Sequence, residues 1–387
     1  MGIRELDGNT FRRILCGGAC SIRSQMNEIN ELNVFPVPDG DTGVNMTQTI
    51  ESGIAKISSL ENARLGDIAN EFSRGSLFGA RGNSGVILSQ FFAGLCDELS
   101  DKDAVTVSEL SLAYMKGVER SYSAVANPVE GTILTVFRES AEYAKKNIDE
   151  NSSVEDFLKL NIEEAERSLS RTKEILPVLQ EANVVDSGGA GYLCIAKGMY
   201  QALFGDVKTT GIGEQMATAS DKPDYDLFTT DSELEYGYCT ECLVRLQKAK
   251  LDPDSFDGKK FIDDLDALGC NSIVAIRDGD ILKVHAHTMT PSDILSLCQK
   301  YGEFLNIKIE NMSLQHSEKI SAEQKKPHKR YGVVTVTTGA GMKALFESLG
   351  ADVIIDGGQT GNPSAEQFLN AFREINADDI QIGRAHV

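Results

Sequence analysis

The sequence has no tryptophan, only five histidines in 387 residues, and a shortage of positive charge: 38 lysines and arginines face 58 aspartates and glutamates, a formal net charge of −20. That imbalance opposes binding to nucleic acid phosphates or anionic lipid surfaces unless a local basic patch offsets it. The one basic cluster, Lys325-Lys326-Pro327-His328-Lys329-Arg330, reads as a solvated stretch between domains. No apolar run reaches the roughly 18 residues that would span a bilayer. The start, Met1 to Asp7, also lacks the basic residues and apolar stretch of a secretory signal, so a cytoplasmic chain is expected. Eight cysteines over this length fall short of a disulfide scaffold and fit reduced thiols. No histidine occurs before residue 285, so the first half of the chain has no imidazole to serve as a general base.

The chain does have the length for two or three cores of about 100–200 residues each. Residues 1–205 carry helical periodicity, as in Ser84–Leu99, Val107–Ala124, Thr132–Lys146, Val154–Leu169 and Gly188–Phe204, and predict an all-α domain. The pattern dissolves into Gly, Thr, Ser and Asp over 206–225, a linker. Residues 226–318 are β-rich at Leu243–Leu246, Ser272–Ile276 and Ile281–His285. The last two are joined as a hairpin across Arg277-Asp278-Gly279-Asp280, with helices at Gly258–Leu268 and Pro291–Tyr301, giving an α+β middle domain. A second linker is expected at 319–330. Residues 331–381 then open as a βαβ unit with a parallel sheet, too short for a complete doubly wound domain, and are expected to be an incomplete α/β C-terminal domain. The last six residues, Ile382-Gly383-Arg384-Ala385-His386-Val387, back-translate as ATC-GGA-AGA-GCA-CAC-GTC, the sequence of a common sequencing-library adapter. A read-through artefact is expected at 382–387, with the natural C-terminus missing.

Four loops in the helical region place glycine and short polar residues directly before a helix: Asp39–Asn45, Gly79–Gly85, Asn127–Thr132 and Asp186–Gly191. Helix N-termini of this kind offer backbone N–H groups to phosphate. Successive loops are about one helix out and one helix back apart, so in an up-and-down bundle all four would gather at one end. The first loop runs Asn33-Val34-Phe35-Pro36-Val37-Pro38-Asp39-Gly40-Asp41-Thr42-Gly43. Its prolines stiffen the approach and its glycines allow close contact with a ligand. Asp39 and Asp41 then form a fixed pair of hard oxygen ligands suited to magnesium, which takes one or two carboxylates and completes its shell with water and phosphate. An EF-hand is excluded because its sixth position would be Val44 and its twelfth Ile50. No Gly-Lys-Ser/Thr occurs, and no strand precedes these glycines, which excludes a Walker loop or dinucleotide fingerprint.

These residues, together with Gly79-Ala80-Arg81-Gly82-Asn83-Ser84-Gly85, Pro128-Val129-Glu130-Gly131-Thr132 and Val184-Val185-Asp186-Ser187-Gly188-Gly189, resemble the ATP-binding subunit of bacterial fatty acid kinase, whose N-terminal domain is related to the dihydroxyacetone kinase ATP-binding subunit. The resemblance runs from the first helix to about residue 381. It implies an eight-helix up-and-down barrel that binds ATP and two magnesium ions at one end, with Asp39 and Asp41 as catalytic metal ligands. The implied nucleotide-contacting residues are Asn33, Thr42, Gly43, Asn45, Met46, Gly82, Asn83, Ser84, Gly85, Gly131, Thr132, Asp186 and Gly188. It further implies γ-phosphate transfer to a fatty acid carried by a separate fatty-acid-binding protein, a step toward phospholipid synthesis, and a homodimer. A carboxylate acceptor is already ionised near neutral pH, which accords with the absence of a base. The competing readings are a dihydroxyacetone-type kinase and a nucleotide-binding regulator without turnover.

In the middle region His285 and His287, two residues apart on a predicted strand, share one face. Cys239-Thr240-Glu241-Cys242 lies upstream; if it is extended, Glu241 shares the face of Cys239 while Cys242 points away. Cys239, His285 and His287 thus suit zinc with an open fourth position. Tyr236 to Glu241 and Lys283 to Thr288 resemble the family's middle-domain motifs, which implies that zinc is bound there.

Overall fold

The computed structural model describes residues 2–60, 62–205, 237–312, 329–337, 340–356 and, beyond these, 368, 371–372, 375 and 377–384. They belong to two compact units, Met1–His316 and Ser317–Val387.

The first unit begins with helices α1 (Gly8–Ser24), α2 (Met26–Glu31), α3 (Thr42–Ile57), α4 (Leu65–Gly79), α5 (Gly82–Leu99), α6 (Val107–Ser123), α7 (Ile133–Asn147), α8 (Val154–Ile175), α9 (Pro177–Ala182) and α10 (Ser187–Gln201). Local chemistry sets their ends. Asp7 accepts from the Thr10 amide to start α1, and Thr106 and Ser153 form reciprocal capping boxes with Glu109 and Asp156 to start α6 and α8. Pro177 opens α9, and Asn183, in the left-handed region, closes it. Each long helix packs on its successor and α10 returns to α1, while α2 and α9, six residues each, lie beside the ring. Phe91 stacks on Phe137 with ring centroids 4.3 Å apart, and Tyr192 meets Phe137 edge-on at 4.7 Å, tying α5, α7 and α10 together at the centre of the core. A two-stranded antiparallel sheet, β1 (Glu5–Asp7) with β2 (Ala104–Thr106), was not expected from the sequence; three-residue strands are too short to show a period.

The same unit contains a four-stranded antiparallel sheet in the order β4-β5-β3-β6, built from β3 (Tyr238–Leu246), β4 (Asn271–Asp278), β5 (Ile281–Thr288) and β6 (Gly302–Asn311). Helices α11 (Gly258–Ala267) and α12 (Pro291–Gln299) accompany it. The predicted β4–β5 hairpin is present, and β6 is an additional strand on the sheet edge. All eight residues of β5 are buried, although its sequence alternates. Leu282, Val284 and Ala286 face the sheet's own core, while Lys283, His285 and His287 fall on the opposite face, which is covered by the helical region. Val274 and Ile276 of β4 share a small apolar cluster with Leu77, Ala80, Val86 and Ala124, and Val125 bridges Val274. The helical and middle regions therefore pack together as one compact body. The linker predicted at 206–225 lies outside the described residues.

The second unit holds β7 (Lys329–Thr337), α13 (Ala340–Ser348), β8 (Val353–Asp356) and β9 (Ala377–Arg384) in a parallel sheet of order β8-β7-β9 around Val334, Val336, Ile355 and Ala371. The predicted βαβ opening is present. Of the second predicted linker, 319–328 lies outside the described residues, while Lys329 and Arg330 begin β7. Ile382, Gly383 and Arg384, expected to be foreign, continue the β9 ladder against Val334 to Val336, and 385–387 lie outside the described residues. Among the described residues no helix is long and apolar enough to cross a membrane.

Candidate functional site

The loop between α2 and α3 is held from within. Asn33 is buried and its Nδ2 donates to Asp39 Oδ1, while Asn30 Oδ1 accepts from the amides of Gly43 at 2.7 Å and Val44 at 3.2 Å. Gly43 sits so close to α2 that a Cβ there would lie 2.1 Å from the Met26 carbonyl oxygen. Asp39 is crowded by burial and by the Asp41 carboxylate, which together push it up to about 8 although Asn33 and the Asp41 amide oppose the shift. A buried carboxyl raised by a neighbouring carboxylate is what a divalent cation would relieve, so the donor set fits magnesium.

A second loop starts α5. Gly82 has φ +57°, and a Cβ there would lie 2.3 Å from Asn45 Nδ2, so only glycine brings this turn against α3. A third is braced by Glu130, which accepts from Thr135 Oγ1 at 2.6 Å, Arg138 at 2.9 Å and the Tyr122 hydroxyl at 3.0 Å. In the fourth, buried Asp186 caps α10 through the Gly189 amide at 2.7 Å, and burial pushes its carboxyl up to about 6 against the hydrogen bonds it accepts.

Three of the loops meet in one solvent-open cleft of about 670 Å³ of empty space, lined by Asn83, Ser84, Asn127, Thr132, Asp186 and Gly188, with Phe35 and Pro36 from the first loop beside them. Its continuation is lined by Asn33, Asp39, Asp41, Thr42, Asn45 and Gly82. The gathering expected from loop spacing is therefore present. The amides are less free than expected, because Asn30, Glu241, Thr135 and Asp186 already accept from Gly43, Gly82, Gly131 and Gly189. Four predicted residues stand apart from the cleft linings, the first being Gly43, which packs against α2. Met46 is fully buried in the helical core against Gly191, because it lies on the inward face of α3. Gly85 is a packing contact, with a hypothetical Cβ 2.5 Å from Thr49 Oγ1. Gly131, at φ +83°, turns its amide to Thr135 and shapes the loop.

The far wall of the same cleft comes from the middle region. Cys239, His285 and His287 offer one ligand atom each within 4.8 Å of one another, and Cys239 Sγ lies 3.8 Å from His285 Nδ1. Glu241 Oε1 is 3.1 Å from His285 Nδ1, which leaves His285 Nε2 buried with no partner. A buried, unsatisfied imidazole nitrogen beside a thiol and a second imidazole fits a soft or borderline cation such as zinc, with Glu241 fixing the ring from behind. Burial lowers both imidazoles; the thiol and carboxylate beside His285 reverse this and raise it to about 10, while the neighbouring His285 helps hold His287 near 3. Cys242 is buried in the sheet's own core, on the face opposite Cys239, as the alternation predicted.

The DAK2 domain family matches residues 36–201, the FakA-like middle domain of fatty acid kinase matches 235–319 and the FakA-like C-terminal domain matches 332–382. Protein YloV of Bacillus subtilis is 41% identical over 394 residues, covering 99% of this chain and 70% of that protein. An uncharacterized Staphylococcus epidermidis protein is 39% identical over 384 residues, covering 96% of this chain and 69% of that one. The chain belongs to the FakA-like fatty acid kinase family. The crystal structure of the dihydroxyacetone kinase from C. freundii in complex with AMP-PNP and Mg2+ aligns at 16% identity over 52% of this chain and 35% of that one, with a TM-score of 0.39.

In this FakA-like chain, several cleft residues gave no signal in the sequence. Ser272 and Val274 of the middle region line the cleft beside Asn127 and Thr132, and Lys283 reaches the end of α4. Their positions depend on contacts across more than 100 residues of sequence, which periodicity does not carry. Asn30 was legible in principle: an Asn ahead of a proline-stiffened loop is a capping residue type.

Proposed function

We propose that this chain is the ATP-binding subunit of a fatty acid kinase, acting in the cytoplasm and transferring the γ-phosphate of ATP to the carboxylate of a fatty acid held by a separate fatty-acid-binding protein. The observation that carries this reading is the Asp39–Asp41 pair opening into a cleft that glycine loops from the helical region share. Asp39 and Asp41 would hold magnesium, two ions in the family's manner, and the metal would supply charge neutralisation to the phosphates. Asn45, Ser84, Thr132 and Asp186 line the space for nucleotide, and Asn33 fixes the Asp39 carboxylate. The acceptor arrives ionised, so transfer needs alignment and electrostatic stabilisation rather than a base. Cys239, His285 and His287 would hold zinc on the facing wall. The ring-like packing order of the long helices supports reading them as a closed eight-helix up-and-down barrel. Homodimerisation is part of the same reading.

The test is acyl phosphate formation. Product is expected only with ATP, magnesium and a fatty-acid-loaded partner together. Phosphorylation of free dihydroxyacetone at a comparable rate would favour the second kinase reading, and tight nucleotide binding without transfer to any loaded partner would favour a regulator.

A further inference from the structure

The turn between α4 and α5 receives one cation and one anion from the middle region. Lys283 on β5 is buried, and its Nζ donates to the carbonyls of Ala80 and, at 3.3 Å, Leu77, at the end of α4 where the helix dipole favours positive charge. Glu241 on β3 accepts the Gly82 N–H at 2.8 Å, at the start of α5 where the dipole favours negative charge. Register sets Glu241 directly opposite His285, and the same Oε1 that takes the Gly82 amide lies 3.1 Å from His285 Nδ1. One carboxylate oxygen therefore holds both the ring of a candidate metal ligand and the backbone of Gly82. The residues that follow Gly82, Asn83 and Ser84, line the cleft beside Asp39 and Asp41.

We propose that Glu241 is a positioning residue that couples the two walls of the cleft. A cation held by Cys239, His285 and His287 fixes the His285 ring with Nδ1 toward Glu241, and Glu241 in turn fixes the Gly82–Ser84 turn for nucleotide, so that zinc and magnesium nucleotide bind cooperatively. The coupling rests on the kinase reading above for the identity of the nucleotide. Its physical basis is that a metal taking the buried, unpartnered Nε2 would commit the ring to one tautomer and one orientation and leave Nδ1–H as a defined donor to Glu241. Coupling between two binding events is reciprocal, so it is measurable from either side.

The experiment is titration calorimetry of the full chain with a non-hydrolysable ATP analogue and magnesium, in zinc-loaded and zinc-stripped protein, for wild type, Glu241→Gln and Lys283→Met, with circular dichroism to establish folding. Stripping zinc from wild type is expected to weaken the analogue by about 5- to 20-fold, within the usual range of coupling between sites, and the analogue should tighten zinc by the same factor. In Glu241→Gln, which keeps side-chain size but replaces the anionic acceptor shared by the His285 ring and the Gly82 amide with a weaker neutral one, both ligands should still bind while the factor falls. Lys283→Met removes the α4 contact and a positive charge near Glu241 but leaves the Glu241 hydrogen bonds to His285 and Gly82 in place, and should keep the factor. Wild-type affinity indifferent to zinc, an undiminished factor in Glu241→Gln, or an equal loss in Lys283→Met overturns the proposal. Nucleotide that fails to bind in any metal state overturns the kinase reading and the coupling with it, whereas binding that ignores zinc overturns the coupling alone.

Discussion

The two walls of the cleft are built on opposite principles. The helical wall is made of backbone: glycines at Gly43 and Gly82 let loops approach α2 and α3 where a Cβ would collide, and polar side chains such as Asn30 and Asp186 cap the helices that follow. The sheet wall is made of side chains: Lys283, His285 and His287 project from one face of a strand whose other face is ordinary core. The first wall suits an extended anionic ligand that can be met by dipoles along its length. The second suits a point charge held by few donors.

The contrast breaks most sharply at the carboxylates. Asp39→Ala combined with Asp41→Ala should reduce acyl phosphate formation by about 1000-fold or more, since phosphoryl transfer depends almost wholly on charge stabilisation and alignment. Initial rates with a loaded partner measure this, and retained turnover would remove the metal assignment. On the other wall, His287→Ala should lower zinc affinity by about 100-fold, read by metal content after dialysis, while magnesium nucleotide still binds, though more weakly. Nucleotide binding abolished outright by that change would mean that the two walls are not separate binding elements.

A smaller effect is expected at the backbone of the helical wall. Gly82→Ala places a Cβ at a positive φ and against Asn45, so nucleotide affinity should fall by about 10-fold, equivalent to roughly 1–2 kcal/mol of strain. Calorimetry would show it, and an unchanged affinity would mean that the turn moves freely. The mildest effect is that of pH. Without metal, Asp39 keeps its proton up to about 8 against an ordinary value of 3.8, so the fold binds a proton that the unfolded chain has lost. Between those values the metal-free fold loses stability as pH rises, and magnesium, which must displace the proton, gains affinity over the upper part of that interval by at most about tenfold per pH unit. A pH-independent magnesium affinity from 6 to 8 would contradict the crowding of Asp39 by Asp41.

Much of the helical wall was legible because its signals are local. Proline, glycine and aspartate in one short run describe a stiff, ligand-approaching loop, and helix-length spacing alone implies that the loops share one end. Met46 misled because it follows Asn45 in the same motif, yet lies on the inward face of α3 and fills the core. The histidine-bearing face of β5 was legible from the two-residue spacing of His285 and His287, and the opposite orientations of Glu241 and Cys242 from strand alternation. What covers that face was not legible. Lys283 reads as a solvated strand residue, and only the packing of the sheet on α4 and α5 makes it a buried cap for the carbonyls of Leu77 and Ala80. Strand β6 carries the alternation Leu305, Ile307 and Ile309, but these side chains stay 40–41% exposed, so the pattern marks a strand without marking a buried face.

The most direct test is where the label goes when γ-labelled ATP and magnesium are mixed with this chain and a fatty-acid-loaded binding protein. Label on the fatty acid carboxylate, dependent on the partner and lost with Asp39 and Asp41, is the predicted result. Label on a small hydroxylated ketone, or transfer that survives removal of both carboxylates, would contradict it.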